Sequence, residues 1–251
     1  MQMSKTAAIV TGGASGLGEA TARHFAAQGA KATLLDRDAE RGKAVAAEIG
    51  GHFIETDVTD EASVEAAIAQ AQEHMGALNV AVNCAGIALG IKTTGRDGPH
   101  PLSAFQKTID INLTGSFNIA RIAATAMAKN APEADGARGV IINTASVAAF
   151  DGQKGQVAYA ASKGGIVGMT LPMARDLAQS GIRVMTIAPG IFGTPMLKGL
   201  PQEVQDSLAA EVPNPARLGD PNEYARMAAF IVEMGYLNGE VIRLDGALRM
   251  R

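Results

Sequence analysis

AAIVTGGASGLGEATARHFAAQGAKATLLD, residues 7–36, decides the fold. The apolar run 7–10 reads as a buried strand. Residues 19–28 read as a helix ending before Gly29, and 31–35 as a second strand. Between the first strand and the helix lies the loop Thr11-Gly-Gly-Ala-Ser-Gly-Leu-Gly18. Gly12 permits a tight turn, Gly16 lets backbone approach a pyrophosphate, and Gly18 lets the helix pack closely on the sheet. The helix N-terminus then points amide donors and the positive end of its dipole at phosphates. Gly12, Ser15, Gly16, Leu17 and Gly18 are therefore candidate cofactor contacts. Asp36 closes the second strand eighteen residues after Gly18. A carboxylate there accepts hydrogen bonds from both hydroxyls of an adenosine ribose and repels a 2′-phosphate. This favours NAD over NADP. Arg37 beside it could stack on adenine or bind a phosphate. Asp38 fits a helix N-cap better than Asp36 does.

Working outward, strands are expected near 7–11, 31–35, 52–56, 78–82, 138–143, 182–188 and 240–244. Helices are expected near 17–28, 39–49, 61–75, 102–129, 157–179, 202–210 and 221–234. The alternation predicts an α/β fold: a Rossmann-type, doubly wound, seven-stranded parallel sheet with helices on both faces. The first six strands should order 3-2-1-4-5-6, with the cofactor across the switch point. No linker or repeat interrupts 1–251, so one domain is expected. The proline-punctuated stretch 191–215 reads as a lid over the substrate.

The second informative stretch is YAASK, with Tyr159 and Lys163 one helical turn apart and Ser146 upstream. A phenol normally loses its proton near pH ~10. An ammonium beside it stabilises the phenolate and lowers that value. A serine hydroxyl nearby can bind the oxygen that gains or loses the proton. The set is equipment for proton transfer at an alcohol or carbonyl oxygen.

Composition fits a compact enzyme. Of 251 residues, 47% are hydrophobic and 19% charged, which argues against disorder. A net charge of −3 leaves no electrostatic footprint for nucleic acid. One cysteine excludes an internal disulfide framework, and four scattered histidines lack metal-ligand spacing. No apolar run reaches membrane-spanning length, and the polar start resembles no targeting peptide, so the cytoplasm is the expected compartment.

With these motifs in view, the chain resembles the short-chain dehydrogenase/reductase family over essentially its whole length. The glycine loop, Asp57-Val58, Asn83-Cys84-Ala85-Gly86, Asn112 in DINLTG, Ser146, Tyr159, Lys163 and Pro189-Gly190 stand where that family has its motifs. The resemblance implies that Ser146, Tyr159, Lys163 and Asn112 are catalytic, with Asn112 holding a water that links Lys163 to solvent. It also implies cofactor contacts from Asp57, Val58, Asn83, Cys84, Ala85, Gly86, Tyr159, Lys163, Pro189, Gly190, Phe192 and Thr194. Family members usually form homotetramers through their two long middle helices.

The stretches VIINTASVAAF, SKGGIVGMTLP, GIRVMTIAPG, RLGDP and LNGEVIRLDGA are similar to the type 2 3-hydroxyacyl-CoA dehydrogenases within that family. This narrower resemblance implies NAD-dependent oxidation of a short 3-hydroxyacyl-CoA in fatty acid metabolism. The substrate contacts would then come from Ser146, Gln156, Tyr159, Met196, Leu197 and Leu200. Lys92 and Arg96, in the long loop 87–101, can pair with phosphates of a CoA handle. Two further readings stay open. One is a ketone, steroid or 3-oxoacyl thioester reductase of the same family. The other is a nucleotide-binding scaffold subunit, which the intact Ser146–Tyr159–Lys163 set disfavours.

Overall fold

The computed structural model describes residues 1–250 except Asp97, Ala134 and Leu200. In chain order, β1 (Ala7–Thr11), α1 (Gly16–Ala27), β2 (Lys31–Asp36), α2 (Ala39–Ile49), β3 (His52–Glu55), α3 (Glu61–Met75) and β4 (Val80–Asn83) alternate as expected. A small hairpin follows, β5 (Thr94–Gly95) against β6 (Gly98–Pro99), then α4 (Leu102–Ile109) and α5 (Gly115–Met127). The chain ends with β7 (Gly139–Thr144), α6 (Val157–Asp176), β8 (Ile182–Pro189), α7 (Pro195–Lys198), α8 (Gln202–Ala210), α9 (Pro221–Glu233) and β9 (Val241–Leu244).

Seven parallel strands order β3-β2-β1-β4-β7-β8-β9, which is the predicted doubly wound arrangement. The central strands β1, β4, β7 and β8 are buried along their whole lengths, which is why they read as unbroken apolar runs. Successive side chains alternate between two cores. Ile9 and Ile141 face the core shared with α3 and α5, while Val10 and Ile142 face the core shared with α1 and α9. Asp38 caps α2 by accepting from the Arg41 amide at 3.0 Å, as its position suggests. No helix among the described residues is long and apolar enough to cross a membrane.

Three features differ from the sequence expectation. The single helix expected over 102–129 is broken by a π-helical turn at Asp110–Thr114. Such a turn adds a residue while the chain stays helical on both sides, so a reading of helix extent runs straight through it. The hairpin β5–β6 and the short α7 lie in stretches rich in glycine and proline, where periodicity is silent. Most remaining boundaries move by only one or two residues, as fraying ends do.

Candidate active site

The C-terminal ends of the parallel strands open into a cleft of about 470 Å³. Its first half is backbone held against backbone. The Thr11 hydroxyl accepts from the amides of Cys84 and Ala85, both at 3.1 Å, joining the ends of β1 and β4. Gly12 has φ +64°, and a Cβ there would lie 2.9 Å from the Ala85 nitrogen. A Cβ on Gly18 would lie 2.2 Å from the Gly12 carbonyl oxygen. Only glycine permits this closeness of loop, turn and helix. Gly12, Ser15, Gly16, Leu17 and Gly18 all line the cleft, so the opening at the start of α1 is floored by backbone. That shape and polarity fit the phosphates of a dinucleotide.

Asp36 also lines the cleft. Its two oxygens accept from the amides of Ala14 and Asp38, each at 3.0 Å. The carboxylate therefore fixes the glycine loop as well as facing the cleft. Arg37 lies 3.7 Å from Asp57. Hydrogen bonds from the Thr59 hydroxyl and amide, then the Arg37 charge, hold the Asp57 carboxyl below its ordinary range. Arg41 was not anticipated from the sequence. It donates to the Ala14 carbonyl and pairs with Glu19 at 2.8 Å, bracing the loop from behind. Its place on α2 opposite the loop is a tertiary fact that no local motif announces.

The other half of the cleft holds Ser146, Tyr159 and Lys163. Ser146 follows β7 and accepts from the Ala148 amide at 3.1 Å. Tyr159 and Lys163 lie in the first turns of α6, with the ammonium 5.7 Å from the ring centre. Burial pushes the Tyr159 phenol up from its ordinary value, and a hydrogen bond with Ser146 pulls it partly back. In the chain alone burial sets the direction, opposite to the lowering expected from Lys163. Lys163 is 5% exposed, and its ammonium donates to the Thr144 carbonyl at 2.6 Å. Burial brings it down to about 8, against a small opposing effect from Cys84. Burial likewise pushes the Cys84 thiol up, which leaves it a poor nucleophile.

Asp57, Val58, Cys84, Ala85, Gly86, Pro189, Gly190, Phe192 and Thr194 line the cleft at their predicted places. Asn83 does not. It is buried and donates to Asn143 at 2.9 Å and to the Ser116 carbonyl at 3.2 Å. Asn112 lies in the π turn, also buried. Its side chain accepts from the Ile87 amide at 2.8 Å and donates to the Ile87 carbonyl and to Ser162. Asn112 thus clamps the chain leaving β4, separated from Lys163 by Gly86. Gln156 is spent on the Gln153 amide at 2.9 Å and does not line the cleft. Leu197 does not line it either. Leu200 and the Met196 side chain lie outside the described residues. Thr144 and Ile87 line the cleft without having been foreseen. Among the described residues no cluster of three or more His, Cys, Asp or Glu is placed to hold a metal ion.

Loops complete the rim. The Ile91 amide donates to the Gly155 carbonyl at 2.9 Å, docking the 87–101 loop beside the start of α6. Lys92 and Arg96 are exposed on it. A Cβ on Gly16 would face Thr194 at 3.5 Å, so the start of the 191–215 stretch lies over the glycine loop.

Comparison with known proteins agrees with this geometry. Residues 6–205 match the family described as short chain dehydrogenase. The human and Bos taurus proteins named 3-hydroxyacyl-CoA dehydrogenase type-2 are each 57% identical over 248 residues, covering 97% of this chain and 95% of theirs. The crystal structure of 3-hydroxyacyl-CoA dehydrogenase type-2 from Mycobacterium avium superimposes with a TM-score of 0.94 at 46% identity, covering 100% of this chain and 98% of that one.

Proposed function

Starting from the fact that the chain belongs to the short-chain dehydrogenase family, we propose that this oxidoreductase oxidises a short-chain 3-hydroxyacyl-CoA to the 3-ketoacyl-CoA, reversibly and with NAD. The observation that carries the chemistry is that Ser146, Tyr159 and Lys163 line one cleft with the glycine loop, the Lys163 ammonium 5.7 Å from the Tyr159 ring centre. The acyl-CoA part rests on the relatives that carry that name.

When bound, oxidised nicotinamide supplies the hydride acceptor and a positive charge beside Tyr159. Lys163 and Tyr159 would hold its ribose, Asp36 the adenosine ribose, and the amides at the start of α1 its phosphates. Ser146 donates to the substrate oxygen and fixes it against Tyr159. The Tyr159 oxygen takes the hydroxyl proton in oxidation and returns it in reduction. Lys163 keeps its charge below about pH 8 and favours the phenolate that this exchange requires. Asn112 positions the Ile87 peptide and Ser162, and through them the wall behind Lys163. The choice of NAD rests on Asp36, whose negative charge opposes a 2′-phosphate.

The same reading makes 1–251 one domain, with 191–215 as a lid over the substrate, working in the cytoplasm in fatty acid metabolism. It also makes the protein a homotetramer. A groove of about 520 Å³ between α5 and α6 supports self-association there, with Ala120, Ala124 and Leu177 along it and Phe117 49% exposed. Light scattering coupled to size exclusion checks the subunit count. Oxidation of 3-hydroxybutyryl-CoA, measured with NAD and with NADP, tests the function. Turnover with NAD and little with NADP is expected; preference for NADP would contradict the role given to Asp36.

A further inference from the structure

Among the described residues the largest fully buried side chain is Tyr224, on α9. Phenylalanine would fill this core site as well, so the hydroxyl needs its own explanation. It lies 2.6 Å from the Thr144 hydroxyl and 3.6 Å from the Cys84 sulfur. Thr144 ends β7 and has two jobs at once. Its side chain meets Tyr224, and its carbonyl takes the Lys163 ammonium at 2.6 Å. The next amide, of Ala145, is pinned to the Ile187 carbonyl at 2.8 Å, and Ser146 follows directly. One short piece of backbone therefore carries the acceptor for Lys163 and the Ser146 hydroxyl, which lines the cleft with Tyr159.

Tyr224 is itself anchored. Asp220 and Glu223 form a capping box at the start of α9, and Arg217 grips both Glu223 oxygens at 2.8 Å. The phenol is thus a fixed post, reaching from a helix on one face of the sheet to the end of β7.

We propose that Tyr224 is a positioning residue for the reaction, acting through Thr144 to hold the Lys163 ammonium and the Ser146 hydroxyl in register with Tyr159. The inference rests on Tyr159 and Lys163 being the proton-transfer pair. The bond between Lys163 and Thr144 is charge-assisted, so its strength depends steeply on geometry. Without the Tyr224 hydroxyl, the Thr144 side chain turns to another partner and its carbonyl shifts. The ammonium then loses support relative to the neutral amine, and so does the Tyr159 phenolate. The titratable groups facing Lys163 are Tyr159 on its own helix and Cys84 from the turn after β4, with Tyr224 behind Thr144. Losing ammonium character at Lys163 moves the rising limb of oxidation to higher pH.

The test is the pH profile of kcat for Tyr224→Phe, with KM for the cofactor and Tm measured on the same samples. The limb is expected to move up by about half to one pH unit, with kcat at pH 7 lowered about 3- to 10-fold and KM within about 2-fold. Thr144→Val should reproduce that profile, Thr144→Ser should keep the original one, and the double variant should add nothing further. A Tyr224→Phe protein with lower Tm and an unmoved profile overturns the inference, as does additivity in the double variant. Tyr159→Phe run alongside separates the two claims. Its loss of turnover with an unmoved Tyr224→Phe profile sinks the positioning role alone, whereas retained turnover in Tyr159→Phe sinks the proton-transfer pair and this role with it.

Discussion

The two sides of the cleft are built differently. The cofactor side is made of strand ends and glycines in contacts that no side chain would tolerate, with Gly18 against the Gly12 carbonyl as the tightest. The other side is bordered by the 87–101 and 191–215 stretches, proposed to face the substrate, where Lys92 and Arg96 are exposed and α8 buries no residue. Tight backbone packing admits few alternatives, so the first side specifies its ligand through its own chemistry. Loops over a rigid frame tolerate change, so the second side takes its specificity from side chains that the frame does not dictate. The short-chain dehydrogenase frame therefore shows in the rigid side, whereas the proposed acyl-CoA rests on kinship.

The largest effect should come from the boundary between the sides. Tyr159→Phe should lower kcat by about 10²-fold or more while NADH, followed by fluorescence titration, still binds with a loss no larger than one ribose hydrogen bond. Next is Asp36→Ala, which should shrink the preference for NAD over NADP by roughly 10- to 100-fold, since charged hydrogen bonds are worth about 1.5–3 kcal/mol each. Part of that loss will appear as weaker binding of both cofactors, because Asp36 also holds the Ala14 amide. The double variant Lys92→Ala/Arg96→Ala should raise KM for acyl-CoA about 2- to 5-fold at low salt and hardly at all at high salt, because exposed charges are screened. The same change in KM for a small secondary alcohol would remove the CoA role from the 87–101 loop.

The smallest effect is one of stability. Lys163 titrates at about 8 in the folded chain, below its ordinary 10.5. Between those values the unfolded chain binds more protons, so this group's contribution to stability rises with pH across that window. Cys84 and Tyr159, both raised by burial, oppose the trend above their own ordinary values. Comparing wild type with Lys163→Met isolates the lysine: the stability difference should shift in favour of wild type from pH 8 to 10. A flat difference would mean that the ammonium is not desolvated.

The same contrast explains what the sequence disclosed. Strand order, the glycine loop, the Asp38 cap and the Ser146–Tyr159–Lys163 grouping follow from local patterns and short spacings, and the fold realises them. Asn112 and Asn83 carry family motifs, yet their side chains face inward, because a π turn and a buried strand end set their directions. Arg41, Thr144 and Tyr224 were invisible because their partners lie 27, 19 and 80 residues away. Gln156 turned to its own loop, a choice between local and distant partners that spacing cannot decide. The Tyr159 shift runs against its local spacing for a related reason: burial is a property of the whole fold, whereas the Tyr159–Lys163 spacing is local.

The most direct test is reduction of acetoacetyl-CoA with NADH, run beside a simple ketone and a steroid ketone at the same pH. The account predicts that kcat/KM for acetoacetyl-CoA exceeds that for both other substrates. No detectable turnover of acetoacetyl-CoA, with good turnover of either other substrate, would contradict it and leave a dehydrogenase of simple alcohols.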